Sequence, residues 1–187
     1  ERVLPMQAIC EVYANLETLD TLDALAGGAD PFTYCGDQSK TWYQKYGSDI
    51  DGVIASCDAF AMPMAEAAQQ YADSLNPDFF CAGIDGGSDA WSYIRSGGFF
   101  KYSYAQPFEM FTHKVFECID QIQVQGLNPG DEGCIISKPG EVLYSEGVVI
   151  TADNVPEVGA NINSVFDYYD DDPDAWYNWE GTYIVGE

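Results

Sequence analysis

The apolar positions of this chain switch period several times, and the switches mark its elements. Phe32-Thr-Tyr-Cys35 is a short β-prone run, and Gln38 to Tyr46 reads as a helix closed by Gly47. Gly52-Val-Ile-Ala-Ser56 reads as a strand. Asp58 then stands where it caps an alanine-rich helix from Ala59 to about Ala72, with Pro63 in its early turns, where a missing N–H costs least. Asn76-Pro77 punctuates, and Phe79 to Ile84 reads as the next strand. Ser88 caps a helix through Arg95 that Gly97-Gly98 stops, and Phe99 to Ala105 is strand-like again. Pro107 opens a helix in which Phe108, Phe111, Val115, Ile119 and Ile122 recur on one face. Gly147 to Thr151 is a last strand, followed by an acidic, aromatic tail that includes Asp170, Asp172, Asp174, Trp176 and Trp179.

The first thirty residues admit two readings. Val3 to Ile9 fits a strand, while Ile9, Val12, Leu16, Leu19 and Ala26 fit one face of a long helix from Pro5; a strand followed by a helix is preferred. Strands alternating with helices in this rhythm predict an α/β fold with a doubly wound parallel sheet.

Composition narrows the partners. Among 187 residues, 31 are acidic and 7 basic, a formal charge of −24, which repels phosphate backbones and excludes nucleic acid as a partner. The same field disfavours direct contact with an anionic membrane surface. Hydrophobic residues make up 47%, enough for a packed core. No run is long and apolar enough to predict a membrane span. The chain starts at Glu1, which fits a processed or trimmed chain. The six cysteines, Cys10, Cys35, Cys57, Cys81, Cys118 and Cys134, are widely spaced with no CxxC pair, so neither a zinc site nor a disulfide scaffold is predicted. Cys35, Cys57 and Cys81 lie in or beside apolar runs and are expected as small buried side chains.

Catalytic patterns are sparse. His113 is the one histidine and falls in the amphipathic helix; there is no GxSxG, HExxH or P-loop, and Asp85-Gly86-Gly87 lacks dinucleotide-loop spacing. No enzyme and no cofactor is predicted. The alternating Asp170, Asp172 and Asp174 would suit calcium, but the loop lacks the glycine and distal Glu of an EF-hand and reads as a solvated turn. The polar residues that follow the strands are more informative, because open parallel sheets bind ligands at the carboxyl ends of their strands. Ser56-Cys57-Asp58, Asp85-Gly86-Gly87 and Gln106-Pro107 occupy those ends.

These segments also carry a resemblance. Asp51 to Met62, Phe80-Cys-Ala-Gly-Ile-Asp-Gly86, Ile94-Arg-Ser-Gly-Gly98, Tyr104-Ala-Gln-Pro-Phe-Glu-Met110 and Glu146 to Asn154 together resemble, in order and spacing, the C-terminal half of a type I periplasmic binding protein of the ribose- and galactose-binding kind. The likeness covers roughly residues 30–155. It implies two α/β lobes with a sugar or polyol held between them, an ABC permease as membrane partner, and an extracytoplasmic, periplasmic or lipid-anchored location. Asp85 and Gln106 match hydroxyl-binding positions of that family. Cys57 stands where the family has an Asn, and a thiol is a poor substitute. Thr18 stands near a place where the family often has Arg, and Trp42 lies near an aromatic that packs on the sugar.

The resemblance further implies that the family's first lobe, about a hundred residues by domain size, has no counterpart upstream. The expected organisation is a lobe-like domain over 1–106, a crossover helix and segment over 107–143, and a closing strand with the acidic tail over 144–187. With that lobe absent, the 107–124 helix is expected to pack on the tail, on a second copy of the chain, or on a missing segment. The effector core of a sugar-responsive transcription regulator and a sensory ectodomain would share this pattern.

Overall fold

The computed structural model describes residues 3–167, so the acidic run at Asp170, Asp172 and Asp174 lies outside the described residues. The chain forms two compact units, Glu1–Ala105 with Val149–Ile162, and Gln106–Val148 with Asn163–Glu187.

In the first unit Val3–Val12 is a helix, α1, and not the expected strand. Its run of ten residues suits a helix better than a strand of half that length, and the residues beyond it stay irregular up to a 3₁₀ turn at Ala24–Gly27. Helix α2 runs over Pro31–Tyr46 and takes in the Phe32–Cys35 run expected as β. Its start is set by chemistry that outweighs local β preference. The Asp30 carboxylate accepts the Thr33 N–H at 3.0 Å, and Pro31 occupies the first helical position, where its missing N–H costs nothing. That backbone bond also holds the Asp30 carboxyl below its ordinary range. Gly47, at φ 53, closes the helix as the sequence predicts.

Strand β1 (Gly52–Ile54), helix α3 (Asp58–Ala68), strand β2 (Phe80–Asp85), helix α4 (Ser88–Arg95) and strand β3 (Phe100–Ala105) follow, close to their predicted bounds. With β4 (Val148–Ile150) they give a four-stranded sheet in the order β1-β2-β3-β4. β1 pairs with β2, and β2 with β3, in parallel, and a register shift at Cys81/Ala82 brings Asp85 opposite Ala105. This is the α/β architecture that the strand–helix rhythm predicts.

The sheet has two unlike faces. Val53, Cys81, Phe100, Ser103, Ala105 and Ile150 are buried. Ile54, Tyr102, Tyr104 and Val149 are exposed. Helix α2 packs on α3 at close range: a Cβ on Gly36 would lie 3.2 Å from the Pro63 carbonyl. Tyr43, buried, locks the pair by donating its hydroxyl to the Met64 carbonyl at 2.9 Å, and its ring meets the edge of Phe79 at 5.4 Å.

The second unit is built around α5 (Phe108–Ile119), continued by a π turn at Asp120–Val124. Lys114 donates to the Tyr144 carbonyl, and Gln121 ties the following loop through Gly133 and Ile135. Phe108, Val115, Phe116 and Ile119 stay exposed. No described helix is long and apolar enough to cross a membrane.

Candidate functional site

The carboxyl end of the sheet is organised by one buried carboxylate. The sequence suggests that Asp58 caps its own helix. The cap position belongs instead to Cys57, which caps through no side-chain bond, and Asp58 is the first helical residue. Its side chain turns to the neighbouring strands. Oδ2 accepts the N–H of Gly86 at 2.8 Å and of Gly87 at 3.3 Å. The Ser103 hydroxyl lies 2.7 and 2.8 Å from the two carboxylate oxygens, toward which it donates, and it accepts the Gly86 N–H at 3.0 Å. Asp58 is 5% exposed and Ser103 fully buried. Burial pushes the Asp58 carboxyl above its ordinary value; the bonds from Ser103, Gly86 and Gly87 pull it back, and the nearby Asp85 charge adds to the rise.

The sequence makes room for this cluster. A Cβ on Gly83 would lie 2.3 Å from Asp58 Oδ1 and 2.7 Å from its Cα, so only glycine allows α3 to approach β2 here. A Cβ on Gly86 would meet Ala105 Cβ at 2.4 Å. Between these glycines Asp85 has φ 128, the one positive value among the described non-glycine residues. That region favours glycine, so an aspartate there is held under backbone strain.

The structure brings two of the expected site residues to this end. Asp85 closes β2, and Cys57 precedes Asp58 in extended backbone at φ −155, where its carbonyl accepts the N–H groups of Phe60 and Ala61. Cys57 is part-buried, and its neighbourhood adds to the upward push that burial gives the Cys35 thiol. Gln106 directly follows β3 and opens the second unit.

Trp42 lies in the last turns of α2, beside Tyr43, whose ring meets Tyr71 and Phe79, and Phe79 immediately precedes β2. Thr18 is exposed, next to Leu19, whose carbonyl accepts the Tyr46 hydroxyl at the end of α2. Both thus lie on or beside the C-terminal half of α2, which leads through Gly47 to the start of β1. Phe60, three residues after Cys57 in the first turn of α3, and Phe32, in the first turn of α2, have ring centroids 5.6 Å apart, and Phe32 is half exposed. The Asp30-Pro31 helix start is the signal that could have found Phe32. Ser103 carries no local signal, because its partner lies 45 residues away.

Among the described residues no group of three or more His, Cys, Asp or Glu side chains is gathered to hold a metal.

Two solved structures share this fold. An ABC sugar transporter subunit from Rhodobacter sphaeroides 2.4.1 matches with a TM-score of 0.61 at 16% identity, over 81% of this chain and 50% of its own. An ABC transporter solute-binding protein from Agrobacterium vitis, solved with bound allitol, matches with a TM-score of 0.53 at 12% identity, over 75% of this chain and 43% of its own. The chain thus has the α/β lobe fold of periplasmic solute-binding proteins and spans about half the length of the structures it matches. No protein-family model and no curated protein matches it.

Proposed function

We propose that the protein is a solute-binding component of an ABC importer and holds a neutral sugar or polyol at the carboxyl end of its sheet. The observation that carries this reading is the Asp85 turn. A strained, non-glycine residue ends a central strand where parallel sheets bind ligands, and a buried carboxylate supports it from behind. The Asp85 carboxylate accepts hydrogen bonds from ligand hydroxyls, and the Gln106 amide both donates and accepts. Cys57 offers only a weak partner, so one contact common to sugar sites is diminished in this protein. The fold likeness to an ABC sugar transporter subunit and to a protein solved with allitol supports the same class. In this reading the protein works outside the cytoplasmic membrane, closes around its ligand by a hinge motion and delivers it to a membrane permease.

Titration calorimetry of the intact protein against a panel of aldoses and alditols, allitol included, tests the proposal. One or more members bind, and Asp85→Ala weakens that binding at least tenfold, as loss of a ligand hydrogen bond to a charged acceptor requires (about 1.5–3 kcal/mol). Failure of every member of the panel to bind, alongside binding of an amino acid, peptide or nucleoside, overturns the sugar assignment.

A further inference from the structure

We propose that Asp58 is the positioning residue of the ligand site: it touches no ligand and acts by holding the Asp85-Gly86-Gly87 turn in its binding shape. The inference rests on the reading of Asp85 as a ligand contact and adds the device that makes that contact stiff.

Three observations converge on it. First, the polar capacity of Asp58 is spent on the turn. One carboxylate oxygen accepts from both Gly86 and Gly87, and the Ser103 hydroxyl bridges the same carboxylate to the Gly86 N–H. None of these bonds runs to its own helix, so helix capping does not explain the residue. Second, the carboxylate is buried, and the space it fills exists because position 83 has no side chain. A buried carboxylate without its donors is costly, so removing the turn from this geometry is opposed by three bonds at once. Third, the residue immediately before the two bonded amides is the strained one. A strained conformation persists only where its surroundings over-determine it. The N–H groups of Gly86 and Gly87 are fixed from the protein side, which leaves the Asp85 backbone little freedom to relax toward negative φ.

A second consequence concerns the start of α4. Backbone N–H groups at such a turn ordinarily offer an anion site. Here Asp58 already fills that role with an internal carboxylate.

Amide hydrogen exchange in the intact protein, read by NMR at Gly86 and Gly87, tests the positioning role without any ligand. The wild-type amides are protected. In Asp58→Ala they exchange at least tenfold faster, whereas protection at Tyr43 and Ile94 stays unchanged. In Asp58→Asn, which keeps an acceptor oxygen at the turn, most of the protection returns. Should Asp58→Ala fail to fold, Ser103→Ala serves the same comparison. Equal protection of the two glycines in the wild type and in whichever of these variants folds overturns the proposal.

A double-mutant cycle with the tightest binder of the aldose and alditol panel reads the functional link. Asp58→Ala weakens binding tenfold or more in the wild-type background and by less than twofold on top of Asp85→Ala. Equal losses in both backgrounds overturn the proposal, because Asp58 would then act other than through Asp85. A normal affinity in Asp85→Ala alone overturns the ligand reading of Asp85, and the exchange rates at Gly86 and Gly87 then decide whether Asp58 holds the turn.

Discussion

Asp85 shows how a single residue carries both cost and use. Its φ of 128 suits glycine, and two glycines follow it, yet the sequence places a carboxylate there. Strain of this kind costs about 1–3 kcal/mol. Asp85→Gly is therefore expected to raise the stability of the protein by about 1 kcal/mol while weakening the proposed sugar binding at least tenfold, a trade that denaturant melts and calorimetry on the same sample will read. An unchanged or lower stability would show that Asp85 makes compensating contacts. The candidate contact itself is legible as a polar residue at a strand end beside glycine. Its support is not. Asp58 looks like a helix cap in the sequence because an Asp before an alanine-rich run usually is one. Its actual partners, Gly86, Gly87 and Ser103, are 28 to 45 residues away, and only folding brings them within reach.

At the scale of elements, local preference and chain punctuation disagree in places, and packing decides. Phe32-Thr-Tyr-Cys35 has β-prone side chains, but Asp30 and Pro31 start a helix there, and the helix gains by laying Cys35, Gly36, Ser39 and Tyr43 against α3. Propensity differences are a few tenths of a kcal/mol per residue, whereas burial of one large side chain is worth about 1.5–3 kcal/mol. The α2–α3 contact depends on Tyr43, whose hydroxyl bonds the Met64 carbonyl in the buried seam. Tyr43→Phe keeps the ring packing and loses that bond. It is expected to destabilise the protein by about 1 kcal/mol, measured as a lower denaturant midpoint with an unchanged slope. A neutral effect would mean that the hydroxyl only fills space. The Pro107 helix start, the Gly47 stop and the strands at Gly52, Phe80 and Phe100 are legible in the sequence because each is marked by chemistry within a few residues.

For the whole molecule, the acidic surface and the buried weak acids set the response to pH. Burial pushes the Cys81 thiol from 9.0 up to about 12, and it pushes the Tyr43 hydroxyl up as well. The folded state thus favours the protonated thiol, while the unfolded chain releases that proton near its ordinary value of 9.0. Stability from this source is complete below pH 9 and is lost as pH rises from about 9 to about 12. Chemical denaturation at pH 8 and pH 11 is expected to show a marked fall in midpoint, and Cys81→Ala to lessen that fall; an identical fall in the variant would assign it elsewhere.

The sequence alone determined the order and type of most elements, the parallel α/β class, and the strand ends near Ser56, Asp85 and Gln106 as the places to look. All of these depend on periodicity, punctuation and composition, which act over a few residues or over the whole chain. Only the tertiary structure decided that Phe32 starts a helix and sets its ring against Phe60, and that Asp58 bonds the Asp85 turn rather than its own helix. These facts depend on which distant residues share one end of a sheet, and strand pairing with helix packing settles that through contacts that no local pattern encodes.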